Sequence, residues 1–439
     1  MKKILIWLFF WLNLAAIIGL WWWQSGAYAG VSWAYNFKLA GRIAALLAVY
    51  FILWEFWLIG RVKPLEQSFG QDKLARWHHW TGILALLFII LHPLFTGLGY
   101  ALSFGRSLPT QMIAFLNWEE MLPAYLAVAA FLIVVILSLA IIKRHLKYEL
   151  WFYVHLAVYL GIIWAFGHQL VYGWDLQNKT GATYWLSLYW VFIGVFVWYR
   201  FIMPLYNFWR FRFQVTKVVS EGNNVWSVYI GGRNMAKFKA RAGQFLLVRY
   251  LNKYCWQSHP FSLSAAPDGK SLRITVKALG DFTNNLDQKI KPGTFVWVEG
   301  PLGIFTLDKA VTNKFLFIAG GVGITPIRAM MEETADKQLD VILLCANRRP
   351  EDMIFNDELA QLREKACGKT RCAFVYSDAG VEVDEKGRID EERLKRLVPD
   401  IAERDVYFCG PPPMAKSLIP AFARLGVPEK QIHFEKFSF

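Results

Sequence analysis

The sequence has few charged residues and no cysteine motif. Only 19% of its 439 residues are Asp, Glu, Lys or Arg, whereas 55% are hydrophobic, which excludes a disordered chain and an ordinary, wholly soluble enzyme. The five cysteines form no CxxC pair and no CxxCH string. A zinc site, a disulfide scaffold and covalently attached c-type haem are therefore not expected.

Acidic residues are scarce in the first half of the chain. Residues 1–210 contain 7 acids against 15 Lys and Arg, with 18 of the 21 tryptophans, whereas residues 211–439 contain 27 acids against 33 Lys and Arg. Both halves are basic, and no single basic stripe of the kind that binds nucleic acid stands out. The pattern predicts a membrane domain followed by a soluble one.

Six apolar stretches in the first half are long enough to cross a bilayer. A membrane-spanning helix needs about 20 apolar residues, and stretches of this length run over 4–23, 39–60, 77–97, 121–142, 150–172 and 182–204. We therefore expect six transmembrane helices. For the first, a signal peptide cleaved near Ala27-Tyr28-Ala29 is the alternative, although Trp21-Trp22-Trp23 favours a span with an interfacial belt.

Positive charge is concentrated in every second loop. Lys and Arg lie at residues 2–3, 61–76, 143–147 and 210–212, and the alternate loops contain few. The positive-inside rule then predicts cytoplasmic termini for an integral protein of the plasma (inner) membrane. All five cysteines fall in the second half, which supports a reducing compartment for the soluble part.

Histidine placement is the most informative feature of the predicted spans. Five of the eight histidines lie in the third and fifth spans, where an ionisable side chain is costly and indicates a function. His78 and His92 are 14 residues apart, so they lie about 40° from a common face and about 21 Å apart along the helix. His79 lies about 140° from His92, which favours His78.

The fifth span presents a geometric difficulty. His155 and His168 are 13 residues apart, so an ideal helix does not place them on one face. We expect either a local distortion of the helix, for which Gly161 and Gly167 give room, or that the two histidines approach their two partners from different sides of the helix.

Two histidine pairs on parallel spans indicate two haem sites, because imidazole is an axial ligand of haem iron. We interpret His78 with His155 as ligands of a b-type haem nearer the cytoplasm, and His92 with His168 as ligands of one nearer the outside. The alternative is that these side chains bond to backbone groups or line a polar cavity. Arg42, toward the outer end of the second span, faces a haem propionate or a small anion, or extends to the membrane interface.

The second half changes to short strands separated by glycine and proline. Five alternating segments between residues 213 and 298 predict a small antiparallel β-barrel. From residue 314 strands and helices alternate, which predicts a parallel, Rossmann-like α/β domain. We expect a six-helix membrane domain at 1–208, the β-barrel domain at 209–311 and the α/β domain at 312–439.

A glycine-rich turn lies between the first predicted strand and helix of the α/β domain. Residues 320–326 read GGVGITP, and bare backbone at a helix N-terminus suits a pyrophosphate. The next strand ends in Asn347-Arg348-Arg349 instead of the acid that binds an unphosphorylated ribose. The two arginines favour a 2′-phosphate, and therefore NADPH over NADH, with a solvated basic loop as the alternative.

The motifs together resemble those of the NADPH oxidase and ferric reductase family. HPFS at 259–262, SAAP at 264–267, GDFT at 280–283, EGPLG at 299–303, the glycine turn and CGPPPM at 409–414 follow the order seen in ferredoxin-reductase-like dehydrogenases. Six spans with two histidine pairs precede them, so the resemblance covers nearly the whole chain.

The resemblance implies that FAD is bound by the HPFS and GDFT segments, with Ser262 near the reactive nitrogen of the flavin. The C-terminal Phe439 is implied to cover the flavin ring until the nicotinamide displaces it. The expected FAD residues are His259, Pro260, Phe261, Ser262, Lys277, Gly280, Asp281, Phe282 and Thr283.

The resemblance also implies that Cys409, Gly410 and Pro411 lie beside the nicotinamide, that the four histidines ligate two haems and that Arg42 lies near the outer haem. We assign Ser262, Cys409, Phe439 and Arg42 to catalysis. The expected NADPH residues are Gly320, Gly321, Gly323, Thr325, Pro326, Arg348, Arg349, Cys409, Gly410 and Pro411.

The expected activity is transfer of electrons from cytoplasmic NADPH, through FAD and two b-type haems, to external O₂, with superoxide as product. A ferric chelate is the alternative acceptor, and electron delivery to another protein is a third possibility. Thr96 stands where animal-type oxidases have a further histidine, and Leu302 where the family often has an aromatic. No D-x-[DN]-x-[DN]-G loop is present, so we expect activity without calcium.

Overall fold

The structure is a computed structural model that describes residues 2–139, 145, 148–252, 257–280, 282–378 and 385–435. Its chain forms two compact units. The first contains Met1–Ser68 and Lys73–Arg200, and the second contains Phe69–Asp72 and Phe201–Phe439.

The first unit is helical and contains the six predicted spans. Six segments are long and apolar enough to cross a membrane, which confirms the predicted number. In the hydrocarbon a helix satisfies all of its backbone groups internally, so apolar runs of this length fold as helices. The helices are α1 (Lys2–Ser25), α2 (Trp33–Ile59), α3 (Lys63–Phe69), α4 (Gln71–Phe104), α5 (Leu108–Phe115), α6 (Met121–Ser138), α7 (Tyr148–His155), α8 (Val158–Tyr172) and α9 (Lys179–Val197).

The first helix packs against the second. The Tyr50 hydroxyl donates to the carbonyl of Phe10 at 2.7 Å, and Trp21 Nε1 donates to the carbonyl of Leu39 at 3.2 Å. These contacts join the middle and the C-terminal part of α1 to α2, which favours a membrane span over a cleaved signal peptide.

The close approach of α2 and α4 depends on glycine. A Cβ placed on Gly41 would lie 2.8 Å from the backbone nitrogen of Thr96, and one on Gly99 would lie 2.8 Å from the carbonyl oxygen of Ala34. A side chain at either position would therefore push the two helices apart, as expected where small residues allow membrane helices to pack closely.

The fifth span is broken directly after His155. Helix α7 ends there, and α8 begins at Val158. Across the break Ala157 N bonds Val154 O at 3.0 Å, and Tyr159 N bonds Leu156 O at 3.1 Å. Such i to i−3 bonds turn the chain by about 120° per residue. On an ideal helix His155 and His168, 13 residues apart, would point about 140° away from each other. The extra rotation at this turn reduces that angle.

The break is not at the glycines that the sequence suggested. Gly161 lies under Phe131, whose ring would be 3.1 Å from an added Cβ, and Gly167 lies against the Glu120 side chain. Both glycines therefore make room for neighbouring residues, and the local change in helix rotation lies at the turn between α7 and α8.

The second unit begins with α10 (Met203–Phe211) and an antiparallel barrel. Two three-stranded sheets, ordered β1-β2-β5 and β4-β3-β6, enclose one apolar core and are joined by bridges. This confirms the predicted antiparallel FAD-type domain and adds one strand, β4, which is short and contains a proline. The elements are β1 (Gln214–Gly222), β2 (Val225–Gly231), β3 (Phe245–Tyr250), β4 (His259–Ser262), β5 (Leu272–Lys277), α11 (Leu286–Lys289) and β6 (Val296–Leu302).

A parallel sheet follows, as predicted. Its strand order is β10-β9-β8-β7-β11-β12, with an apolar core on each face. The elements are β7 (Lys314–Gly320), α12 (Ile324–Asp336), β8 (Asp340–Asn347), α13 (Asn356–Lys365), β9 (Thr370–Tyr376), β10 (Glu385–Lys386), α14 (Glu391–Leu397), β11 (Asp405–Cys409), α15 (Pro412–Arg424) and β12 (Ile432–Glu435).

The strand order reverses at β7, which pairs with β8 on one side and β11 on the other. In open α/β sheets, ligands bind at the carboxyl ends of the strands where the order reverses. The ends of β7 and β11 are the glycine turn at 320–323 and the CGP segment at 409–411. The fold therefore places both motifs at the expected nucleotide crevice.

Candidate cofactor sites

The structure brings the four predicted histidines together as two pairs. The ring centroids of His78 and His155 are 6.0 Å apart, and those of His92 and His168 are 6.1 Å apart with the ring planes inclined by 26°. His79 is exposed and has its ring 5.6 Å from that of Trp80. The structure thus pairs His78, as the helix geometry favoured, and leaves His79 at the surface.

The spacing within each pair fits two imidazoles that share one metal atom. Metal–nitrogen bonds of about 2 Å on opposite sides of an iron would hold the two ring centroids about 6 Å apart. In the described ranges no group of three or more His, Cys, Asp or Glu could hold a metal ion. Two-ligand sites suit haem, in which the porphyrin supplies the other ligands.

Hydrogen bonding sets the orientation of one outer histidine. His92 Nδ1 lies 2.9 Å from the carbonyl oxygen of Gly41. Because a carbonyl only accepts, Nδ1 carries the proton and Nε2 carries the lone pair that a metal needs. Thr96 lies on the same side, with Oγ1 3.4 Å from Nδ1.

A serine orients one inner histidine through a hydrogen bond at Nδ1. Ser138 donates its hydroxyl to the carbonyl of Val134 at 2.7 Å, and its Oγ lies 3.3 Å from Nδ1 of His155. Since the serine proton is used, Oγ accepts from Nδ1, and the lone pair of His155 is on Nε2.

The other inner histidine has a carboxylate partner. Nδ1 of His78 contacts Oε2 of Glu55 on α2, and Oε1 of Glu55 contacts the hydroxyl of Thr81. Neither Glu55 nor Ser138 was predicted as a site residue from the sequence. An acid inside a span was a usable signal for Glu55, whereas nothing in the sequence marks one serine among many.

Arg42 forms an ion pair within the helical unit. Its Nε and Nη2 donate to the two carboxylate oxygens of Asp175 at 3.0 and 2.6 Å, and Trp174 lies 5.6 Å from the guanidinium. Asp175 is buried. Arg42 therefore neither extends freely to the interface nor presents an uncompensated charge to an anion.

The two segments expected to bind FAD meet in the barrel. The rings of His259 and Phe282 are 3.9 Å apart, and those of Phe261 and Phe282 are 6.3 Å apart. Ser262 is buried at the end of β4. The aromatic faces, together with the nearby hydroxyl, provide surfaces of the kind a planar ring system needs.

The loop after β5 is closed by Thr283. Its Oγ1 accepts from the backbone nitrogens of Leu279 and Gly280 at 2.9 and 3.1 Å. Lys277 ends β5, where it pairs with Val225. Asp281 lies outside the described residues.

The two nucleotide motifs touch each other. A Cβ on Gly323 would lie 2.7 Å from the carbonyl carbon of Cys409, and one on Gly320 would lie 2.8 Å from Cδ of Pro411. Only glycine fits this packing. Burial raises the pKa of the Cys409 thiol well above its ordinary value, so this sulfur is a neutral group beside the crevice.

The remaining nucleotide residues surround the same turn. Thr325, the second residue of α12, donates its hydroxyl to the carbonyl of Val322 at 2.9 Å, and Pro326 follows it in the first turn. Arg348 and Arg349 are exposed after β8. Arg349 Nε donates to Asp378 at 2.7 Å, so Arg348 is the better candidate for a nucleotide phosphate.

The last described strand ends beside this crevice. Strand β12 runs parallel to β11, with Glu435 opposite Cys409. Phe439, expected to cover the flavin, lies outside the described residues.

A charged network joins the barrel to the parallel sheet. Arg273 of β5 bonds both carboxylate oxygens of Glu358 at 2.8 and 2.9 Å, and Arg328 of α12 bonds Glu358 at 2.8 Å. Burial alone would raise the pKa of Glu358, but the two guanidiniums outweigh it and lower the pKa. No local sequence pattern marks this network, because its members are far apart along the chain.

Comparisons with known proteins agree with this architecture. Three family models match in order: ferric reductase like transmembrane component at 40–166, FAD-binding domain at 210–314 and oxidoreductase NAD-binding domain at 317–418. The fold and the sites thus define a membrane protein with FAD- and NAD-binding domains. The chain joins a ferric-reductase-like membrane domain to FAD- and NAD-binding domains, which confirms the domain order that the resemblance implied.

The curated relatives resemble part of the chain. A flavohemoprotein of Halalkalibacterium halodurans is 32% identical over 253 residues, covering 52% of this chain and 61% of the relative. The NADH oxidoreductase HCR of Escherichia coli is 30% identical, covering 49% and 65%. An NADPH oxidoreductase of Mycobacterium tuberculosis is 27% identical, covering 54% and 62%. The chain spans about three fifths of the length of such relatives.

Proposed function

We propose that the protein is a transmembrane oxidoreductase that moves electrons from cytoplasmic NADPH through FAD and two b-type haems to external O₂, with superoxide as product. The observation that carries the proposal is the presence of two histidine pairs, each about 6 Å apart, in an apolar helical unit of a chain that continues into FAD- and NAD-binding domains. When bound, FAD accepts a hydride, and the haems carry single electrons across the membrane.

The soluble residues position the two nucleotides. The glycine turn at 320–323 and the N-terminus of α12 suit the pyrophosphate, and Cys409 marks the end of the adjacent strand, where the nicotinamide would lie. Ser262 and the ring of Phe282 would contact the flavin. Arg348 would bind a 2′-phosphate, which supports NADPH over NADH.

The helical residues would hold the haems. His78 with His155 would hold one haem and His92 with His168 the other, and Gly41 and Ser138 fix the protons of two of these rings. The excess of Lys and Arg in alternate loops supports a cytoplasmic dehydrogenase and an inner position for the first pair. The proposed boundaries of the three domains are 208/209 and 311/312.

Two other outcomes use the same electron path. Reduction of a ferric chelate is the alternative. The feature that favours this alternative is Thr96, which stands where animal-type oxidases have a further histidine. Arg42 favours neither acceptor, since Asp175 compensates its charge. Electron delivery to a partner protein is the third candidate, which turnover by the purified chain alone would contradict.

The acceptor can be tested with purified full-length protein in detergent. NADPH-driven reduction of cytochrome c that superoxide dismutase abolishes would support the oxidase. Strong ferric-chelate reduction under argon with little superoxide in air would support the metal reductase instead. A dithionite difference spectrum without b-type haem would contradict both.

A further inference from the structure

The two histidine pairs differ in the groups that their rings contact. In the outer pair, His92 bonds through Nδ1 to the neutral carbonyl of Gly41. In the inner pair, His155 bonds to the neutral hydroxyl of Ser138, but His78 contacts the carboxylate of Glu55. Glu55 is the only acid in the 27 residues of α2.

A carboxylate in this position is costly unless it has a role. Its side chain is only 17% exposed, and acids within membrane spans are rare and functional by default. The second oxygen of Glu55 contacts Thr81, one turn after His78 on α4, so the carboxylate bridges two groups of the same helix. Packing alone does not require a charge here.

A carboxylate behind a metal-ligating imidazole changes the metal. It accepts the Nδ1 proton, fixes the orientation of the ring and makes the coordinating nitrogen more basic. Negative charge near the site stabilises the more positive, oxidised iron and therefore lowers its reduction potential. Hydrogen bonding in the second layer of ligands is one of the means by which proteins set haem potentials.

We propose that Glu55 is a positioning residue that gives the inner haem a lower reduction potential than the outer haem. The inference rests on the proposed di-haem function. An electron then passes downhill from the site of His78 and His155, which is oxidised, to the site of His92 and His168, which is reduced. Glu55 thereby favours the outward direction of transfer.

The test is a redox titration of the full-length protein under argon, followed through the b-type absorbance. Wild type should give two midpoint potentials. Glu55→Gln keeps the size and removes the charge, so the lower midpoint should rise while the upper one stays in place. Glu55→Asp moves the charge away from Nδ1 and should raise the same midpoint by less. The exposed Glu119→Gln is the matched control and should leave both midpoints unchanged.

The possible results distinguish failure of the proposal for Glu55 from failure of the proposed function. Two bound haems with unchanged midpoints in both Glu55 variants would overturn the proposal. If Glu55→Gln loses a haem, the haem content of Glu55→Asp becomes the deciding measurement. Loss of haem from Glu55→Asp as well would mean that Glu55 is needed to form the haem site and does not set its potential. That result would also overturn the proposal. Absence of b-type haem from the wild-type protein would contradict the proposed function itself and is visible before any titration.

Discussion

At the scale of single residues, three of the four candidate ligands contact a group on another helix. His92 takes its orientation from Gly41 on α2, and His155 takes its orientation from Ser138 on α6. The rings are therefore held before any metal binds, which reduces the reorganisation needed for ligation.

Removing an outer histidine should remove one haem. We expect His92→Ala or His168→Ala to lose about half of the b-type absorbance and nearly all transfer to the external acceptor, because one axial nitrogen is missing. NADPH oxidation with a soluble artificial acceptor should be retained, since it needs only the dehydrogenase. His79→Ala is the matched control, and unchanged haem content in His92→Ala would show that the ligand assignment is wrong.

Nucleotide preference should depend more on Arg348 than on its neighbour. Loss of a charged hydrogen bond costs about 1.5 to 3 kcal/mol, so Arg348→Ala should raise the KM for NADPH at least about tenfold with little change for NADH. Arg349→Ala should have a smaller effect because Asp378 already pairs with Arg349. An equal loss with both nucleotides would argue against a 2′-phosphate site at Arg348.

At the scale of elements, the outer site depends on how closely α2 and α4 cross. Gly41 both allows this approach and supplies the carbonyl that orients His92. One residue thus links helix packing to the metal site.

Gly41→Ala should therefore disturb the outer haem specifically. The added methyl would collide with the backbone nitrogen of Thr96, and overpacking of this kind typically costs about 1 to 3 kcal/mol. We expect a lower melting temperature and loss of one haem signal. Gly194→Ala is the control, because no heavy atom lies within 4 Å of a Cβ there; equal behaviour of the two variants would contradict this account.

The sequence predicted these elements better than it predicted their exact geometry. Apolar length and strand periodicity are local properties, so the six spans, the barrel and the parallel sheet could be anticipated. The tight turn at Leu156 and Ala157 could not, because no glycine or proline marks it. The pairing of His78 with Glu55 depends on two helices meeting in space, which spacing along one helix cannot show.

At the scale of the whole molecule, the second unit relies on buried charge between its barrel and its parallel sheet. Arg273 and Arg328 are almost fully buried and share Glu358. Breaking such a group by removing one member costs more than its formation gains, since the remaining charges stay buried.

Glu358→Gln should destabilise the protein by about 3 kcal/mol and change its response to acid. Because the pKa of Glu358 is lowered in the fold, its contribution is present above the unfolded pKa of about 4.3 and is lost as pH falls through the lower, folded value. Thermal unfolding of the full chain between pH 7 and 3.5 should therefore depend less on pH in the variant. Glu364→Gln, an exposed acid on the same helix, should behave like wild type, and a Glu358→Gln profile identical to it would contradict this role.

The proposed function requires NADPH to deliver electrons to two haems held by the histidine pairs. It can be checked with the b-type difference spectrum of the purified protein after NADPH is added under argon, with haem content determined on the same sample. We expect two haems per chain, both reduced by NADPH. A protein without b-type haem, or one whose haem is reduced by dithionite but not by NADPH, would contradict it.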